Sequence, residues 1–340
     1  MRTEAFDYFL PKELIAQAPV GERSSSRLLV LDRSGTTTDH RLFREIDGLF
    51  HDNDLLVIND TKVIPARLRA RKETGGALDI LLVEEIDERR WSCLVSGLRK
   101  ETAAIGVYVG EHPVVLKAGA PFWTIELPVG VGAARLMADH GNMPLPPYIK
   151  RDKGQKSPED YERYQTIYAQ KEGSIAAPTA GLHFDEGLLG RIAAIGVKIV
   201  AVTLRIGIGT FFLVKSETVE GHKMHREYYS VPADTMAAVR KTKEQGGRVV
   251  AVGTSAVRTL ETAFAGKNGD SPAGSTGLFI YPGYTFKAVD ALITNFHLPR
   301  STPLLLACAF AGKEAIEAAY REAIERRYRF YSYGDAMFIS

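Results

Sequence analysis

A chain of 340 residues, 45% hydrophobic and 25% charged, has the composition of an ordinary globular protein and is long for a single core, so two domains are expected. Its net charge of +2 is too balanced to mark a nucleic-acid binder, and any such partner has to be met by a local patch. No apolar run is long enough to span a bilayer, MRTEAFDYFLPKEL lacks the apolar stretch of a secretory signal, and Cys93 and Cys308 read as separate buried thiols, so a cytoplasmic protein without membrane contact is expected.

Pro11 suits the first position of a short helix reaching Ala18. ERSSSRLLVLDR then feeds a strand, Leu28 to Leu31, and a turn at Gly35. Arg23, Ser24, Ser25, Ser26 and Arg27 offer an anion two guanidiniums and three hydroxyls, or simply form a solvated loop. An amphipathic helix over Leu42 to Phe50 precedes a buried strand, Asp54 to Ile58, which runs into NDTKVIPARL. There Asp60, Thr61 and Lys62 leave a strand end together, a set suited to holding a polar ligand and moving a proton. The same residues also suit an ordinary turn with Lys62 facing water.

From Arg67 to Pro128 the texture changes to short strands separated by Gly, Pro and charged turns, which predicts an all-β unit, barrel or sandwich. Its Arg67, Arg69, Arg71, Lys72, Arg89, Arg90, Arg99 and Lys100 either present a surface to phosphates or guard hairpin edges. A helix, Val131 to His140, closes at Gly141. MPLPPYIKR is a stiff connector, because its prolines remove donors and restrict their neighbours. Ser157 then caps a helix from Pro158 to Ala169. The expected division is an α/β core of residues 1–66 and 151–340 with a β-rich insertion, 67–150. The fold class is mixed α/β: a mixed sheet or barrel flanked by helices, plus the smaller all-β domain.

In the central third, Ala180, Gly181 and His183 offer backbone donors and an imidazole just before a helix from Asp185 to Ile195, whose start favours negative charge; His183 also fits as a capping partner. Gly207-Ile208-Gly209 lacks the third glycine and the following helix of a dinucleotide fingerprint, since Thr210 to Val214 reads as a β run. Glycines in a strand mark a bulge or a close approach of ligand to backbone. In GHKMHREYYSVP, His222, His225 and Glu227 lie close together, and extended backbone puts His225 and Glu227 on one face. Zinc-ligand spacing is absent, so a base with its carboxylate or a substrate-binding pair is the better reading, and no metal is expected.

Pro232 to Gln245 is helical by period. RVVAVGTSAVRTLETAF then reads as strand, turn and helix with Gly253 at the turn, Thr254 or Ser255 at the cap and Arg258 one turn in, which is either an anion cradle or an ordinary capped helix. Next come a strand LFIY stopped by Pro-Gly, a strand VDALIT ending on Asn295, Phe296 and His297, and a helix from Pro303 to Ala311 capped by Ser301 or Thr302. Tyr281, Tyr284, Asn295 and His297 thus fall near strand ends, where polar groups meet ligands, although tyrosines that pack and polar groups that satisfy local backbone are the plainer alternative. A helix from Glu314 to Tyr328 and a strand from Met337 to Ile339 complete the chain.

NDTKVIPARL, MPLPPYI, AAPTAGLHFDE, MHREYYSVP, VGTSAVRTLE, LFIYPGYTFKAVDALITNFHLP and YSYGDAMFI, in this order, closely resemble the S-adenosylmethionine:tRNA ribosyltransferase-isomerase family of queuosine biosynthesis, from LPKELIAQAPVGERSSSRLL to the last residue. Arg205 stands where the family usually has His, and Leu213-Val214 where it has a Pro-Val pair, so no imidazole role is expected at 205; Asp60 occupies a place where the family tolerates Asn. The resemblance implies transfer of the ribosyl portion of S-adenosylmethionine onto the aminomethyl group of a 7-deazaguanine at the tRNA wobble position. Isomerisation to epoxyqueuosine releases adenine and methionine. S-Adenosylmethionine is then a consumed substrate, tRNA the partner, and no cofactor is needed; a monomer is expected.

On that basis His183, with His225, Glu227 and Lys62, is expected in proton transfer, because the carbon beside a sulfonium is acidic and adenine leaves more readily when protonated. Asp60, Thr61, Arg67, Thr179, Gly181, Gly207, Gly209, Thr210, Thr254, Arg258, Tyr281, Tyr284, Asn295 and His297 are expected to hold the substrates. The basic β unit with Lys150 and Arg151 would meet the tRNA backbone. Two alternatives from other classes are an RNA methyltransferase, which would release S-adenosylhomocysteine, and a non-catalytic RNA-binding protein.

Overall fold

The computed structural model describes residues 1–33, 38–98, 102–151, 157–266 and 271–340, with Thr210 and Phe211 described by backbone only. The expected turn at Gly35 and the basic residues Arg99 and Lys100 lie outside the described residues. Two compact units emerge: residues 1–62, 147–150 and 165–340, and residues 63–146 and 151–164. The chain therefore crosses between them at four points. The single return at residue 151 expected from the connector is replaced by a second excursion, 151–164, where the helix Pro158–Arg163 is tied by both Arg151 nitrogens to Asp160 (2.8 Å each).

The larger unit is built on a nine-stranded mixed sheet in the order Ala273–Thr276, Glu227–Ser230, Lys198–Leu204, Leu55–Asn59, Val249–Val252, Ala291–Asn295, Ala336–Ile339, Arg27–Leu31 and Thr38–Leu42. The four strands from Lys198–Leu204 to Ala291–Asn295 run parallel. Leu55–Asn59, Val249–Val252 and Ala291–Asn295 are buried throughout, as parallel strands covered on both faces must be. Alternation sorts their side chains: Leu55, Val57, Val249 and Ala251 join one core with the helices Gly253–Ala263, Thr302–Ala311 and Lys313–Glu325. Leu56, Ile58, Val250 and Val252 join the other, with Phe43, Ile46, Leu188 and Ile192.

Local expectations fail where side chains capture backbone groups. The Thr210 to Val214 β run does not form: beyond Leu204 the amide of Ile206 donates to Ser174 Oγ (2.8 Å) and that of Gly207 to Glu227 Oε1 (2.8 Å), so the ladder cannot continue. The chain turns through a 3₁₀ segment, Ile208–Phe211, and Leu213 keeps one bridge to Ser301. LFIY is likewise no strand, since the Leu278 carbonyl accepts from Arg258 Nε at 3.0 Å; the strand lies earlier, at Ala273–Thr276. Pro11 to Ala18 shrinks to the 3₁₀ turn Lys12–Leu14, because Ile15 bridges to Phe330, and the amphipathic segment after Leu42 is also 3₁₀, Phe43–Leu49. Ser157, Asp185 and Ser301 cap their helices through their side chains.

The smaller unit is a barrel. Strands Arg67–Lys72, Ala77–Asp87, Arg90–Ser96, Trp123–Glu126, His112–Lys117 and Ala104–Val109 pair in that order, and the last returns to the first through Arg71 with Tyr108 and Lys72 with Val107. Closure removes the exposed edges that an open sheet would present. Much of its basic charge is engaged within the unit: Arg67 pairs with Asp79 at 2.7 Å, Arg90 with Asp87 at 2.6 Å, and Lys72 donates to the Gly97 carbonyl. Both cysteines are free and buried.

Glu261, fully buried on the helix Gly253–Ala263, anchors the loop that follows LFIY by accepting from the amides of Lys287, Ala288 and Val289 and from the Tyr284 hydroxyl (2.9–3.2 Å). Glu261→Gln replaces one acceptor by a donor among these amides. It is expected to lower the unfolding free energy by about 2–3 kcal/mol, measured by urea denaturation; a loss within error of zero would show that the loop is held by packing instead.

Candidate active site

In a parallel sheet the carboxyl ends of the strands form one rim, where ligands bind in open α/β folds. Here that rim collects Asn59, Leu204, Val252 and Asn295, together with Glu227, Ser26 and Asp335 from neighbouring strands that enter at the same end. Three polar constellations are built on it.

The first centres on Asn295, at the end of a fully buried strand. Its Oδ1 accepts from Thr179 Oγ1 (2.8 Å), and its Nδ2 faces the Tyr331 carbonyl (3.2 Å) and His183 Nε2 (3.1 Å). That orientation makes His183 Nε2 an acceptor and leaves the ring proton on Nδ1, which donates to Ser26 Oγ at 2.7 Å. The ring is buried and lies 4.9 Å from Phe43. Burial, with Arg329 and Arg23 adding repulsion, pushes the His183 pKa down to about 3. Both ring nitrogens are thus engaged in hydrogen bonds that fix the orientation of the Asn295 amide.

The second is a buried ion pair. Glu227 Oε2 accepts from Arg258 Nη1, its Oε1 accepts from the Gly207 amide, and Arg258 Nε donates to Leu278. Arg258 Nη2 is buried and has no partner. Neither has Ser255 Oγ, one turn earlier on the same helix. This helix begins at Gly253, whose φ of +83° only glycine adopts without strain, and a Cβ there would lie 3.6 Å from Ala180. The helix start thus abuts the turn Thr179–His183. On the other side of that turn, a Cβ on Gly181 would fall 2.1 Å from the Tyr168 hydroxyl, and Tyr168 and Thr166 again carry buried hydroxyls without partners. The expected Thr254 or Ser255 cap does not form; the helix includes both residues, and Thr254 is half-buried in its first turn.

The third holds the strand ends together. Asn59 bridges to both backbone groups of Leu204, Asp60 Oδ1 accepts from Thr203 Oγ1 (2.6 Å), and Thr61 Oγ1 meets Ser174 Oγ (2.6 Å). Asp60 and Thr61 therefore fix the loop that carries Gly207 and Gly209. His225 is exposed beside that loop, its Cβ 3.4 Å from where one on Gly209 would lie, and its ring is 5.9 Å from Phe212. His225 and Glu227 do not act as one pair, because Glu227 turns inward to Arg258.

Other expected site residues lie apart. Lys62 is exposed and paired with Glu172 at 3.0 Å, and Arg67 belongs to the barrel unit. The Tyr284 hydroxyl donates to Glu261, and burial, with that carboxylate adding to it, raises its pKa. His297 Nε2 bonds Thr294 Oγ1 at 2.7 Å, and burial lowers its pKa to about 3. Tyr281 packs its ring 5.1 Å from Phe279. The Thr210 side chain lies outside what is described. The loop Arg23 to Arg27 is no anion cradle: Arg23 donates to the Leu182 carbonyl, Ser26 accepts from His183, and Arg27 binds Asp335. Asn59, Ser174, Thr166 and Tyr168 carry no signal in the sequence, since isolated hydroxyls and amides have no spacing pattern.

The family described as Queuosine biosynthesis protein matches residues 3–339. Among similar proteins, one from Thermotoga petrophila is 51% identical over 341 residues with both chains covered in full, and one from Citrifermentans bemidjiense is 49% identical with 98% of each covered. Both are named S-adenosylmethionine:tRNA ribosyltransferase-isomerase. A crystal structure of an S-adenosylmethionine tRNA ribosyltransferase from Thermotoga maritima matches 99% of this chain and 100% of its own, at 39% identity and a TM-score of 0.57.

The buried neutral His183 links stability to pH. The unfolded imidazole takes up its proton near pH 6.5, the folded one only near pH 3. Between those values the unfolded state holds more protons, so stability falls as pH falls through this window. His183→Gln is expected to flatten the decline in unfolding free energy between pH 6.5 and 4.5 by up to about 1.4 kcal/mol per pH unit. An unchanged slope in urea titrations would mean that His183 is already charged in the fold.

Proposed function

This chain belongs to the queuosine biosynthesis protein family, and on that premise we propose that it transfers and isomerises the ribosyl portion of S-adenosylmethionine onto the aminomethyl group of 7-aminomethyl-7-deazaguanine at the wobble position of tRNA, with loss of adenine and methionine. The observation that carries the assignment of the site is the group of buried donors without partners around one junction: Arg258 Nη2, Ser255 Oγ, Tyr168 Oη and Thr166 Oγ1. Buried polar groups are nearly always paired, so several together at the carboxyl rim call for a polar ligand.

The methionine part of S-adenosylmethionine has a carboxylate. Arg258 Nη2, the Ser255 hydroxyl and the first amides of the helix Gly253–Ala263, including Thr254, are the matching donors, while Glu227 and the Gly207 amide keep the guanidinium oriented. Tyr281, close in sequence to the Leu278 carbonyl that binds Arg258, supplies an aromatic face for adenine. Thr179, Gly181, His183 and Asn295 form the wall of this site, with the locked imidazole setting the direction of the Asn295 amide. Asp60, Thr61, Gly207 and Gly209 shape the loop beside it. That loop brings exposed His225, the imidazole of this set that is not shut in a buried network, to proton transfer at the carbon next to the sulfonium. Removing that proton opens the ribose and starts the isomerisation.

Incubation with S-adenosylmethionine and precursor-bearing tRNA, read by mass spectrometry, is expected to yield adenine, methionine and epoxyqueuosine-tRNA; S-adenosylhomocysteine would mean methyl transfer instead. Arg258→Lys keeps the charge paired with Glu227 but loses the extra N–H, and should raise the KM for S-adenosylmethionine about tenfold or more. His225→Ala should lower kcat about 100-fold or more with little effect on that KM. Parental kcat in His225→Ala would remove the proton-transfer role.

A further inference from the structure

The barrel unit carries a second cluster with chemistry of its own. Gly110 and Glu111 form the turn between the strands Ala104–Val109 and His112–Lys117, His112 opens the second strand, and His140 ends the helix Ala133–His140. The three side chains bring one donor atom each within 4.8 Å of the others, and among the described residues no other three His, Cys, Asp or Glu do so. Glu111 Oε1 lies 3.4 Å from His112 Nε2, and its Oε2 lies 3.8 Å from His140 Nε2. The rings stand 5.8 Å apart at 70°.

Two features show that the cluster is built. His112 Nε2 is buried without a hydrogen-bond partner, although a ring nitrogen out of water should have one. The His140 ring lies directly on Gly110: a Cβ there would fall 2.3 Å from Cε1 and 2.5 Å from Nε2, and the φ of +59° also favours glycine. The tight turn therefore holds His140 facing Glu111.

We propose that Glu111, His112 and His140 bind a zinc ion that clips the hairpin turn to the end of the helix. Two imidazoles and a carboxylate are a donor set suited to zinc and poorly suited to magnesium or calcium, which prefer oxygen alone. Bonds of about 2.0–2.2 Å require the donors to close up slightly. Glu111 is exposed on its turn and supplies that movement, and the ion sits at a helix carboxyl end, where positive charge is favoured. Water completes the coordination. The clip acts on the barrel unit and takes no part in ribosyl transfer.

The test is calorimetric titration of Zn²⁺ alone into chelator-stripped, full-length protein. One ion is expected to bind with a Kd of about 1 μM or tighter, unaffected by excess Mg²⁺, and to raise the thermal midpoint. Glu111→Gln, on an exposed turn that tolerates it, should weaken binding about tenfold or more, and the double variant His112→Gln/His140→Gln should abolish it. Absence of saturable binding, or a Kd that Glu111→Gln changes by less than about threefold, would overturn the proposal even if the double variant failed to fold.

Discussion

The ion pair of Glu227 and Arg258 is withdrawn from water at the rim of the parallel strands, and several other features follow from what that withdrawal demands. A buried pair recovers its desolvation cost only as further hydrogen bonds fill the remaining valences of its groups, and here Arg258 Nη2 is left open. Gly207 supplies an amide and Leu278 a carbonyl. Each contribution takes a backbone group out of sheet pairing, so the strand after Leu204 stops and LFIY stays irregular. The loops of the site are thus shaped by satisfying one guanidinium and one carboxylate.

The same requirement explains why histidines in one sequence divide into different roles. His183 is buried and His297 half-buried, each with neutral hydrogen-bond partners, and desolvation lowers the pKa of both. They behave as oriented polar struts. His225, by contrast, is exposed beside the glycine loop. An imidazole's contribution depends on the water and partners around it, which differ sharply within the span of one sheet edge.

Glu261 and the strand-end amides show a related economy in the scaffold. A single buried carboxylate organises three successive amides and a tyrosine hydroxyl, and Asn59 bridges two parallel strands by answering both backbone groups of Leu204. These contacts hold the rim rigid while leaving four donors beside it unanswered. In the barrel unit, closure of the strands satisfies the edges, and Arg67 with Asp79 and Arg90 with Asp87 pair within it.

Much of this was legible in the chain alone. Period and turn chemistry located the buried strands, the capping residues Ser157 and Ser301, and the β unit, because those signals are local. The ordered motifs pointed to the family, and Gly207, Glu227 and Arg258 stood out separately, as a close-approach glycine, a carboxylate beside His225 and a guanidinium one turn into a helix. Sequence could not decide which of them would meet. Whether His183 is a base or a strut depends on Ser26 and Asn295, which lie 157 and 112 positions away. Whether Tyr284 greets a ligand depends on Glu261. Hydrogen bonds and desolvation are set by distances of a few ångströms between segments remote in the chain, and only the folded arrangement brings those segments within reach.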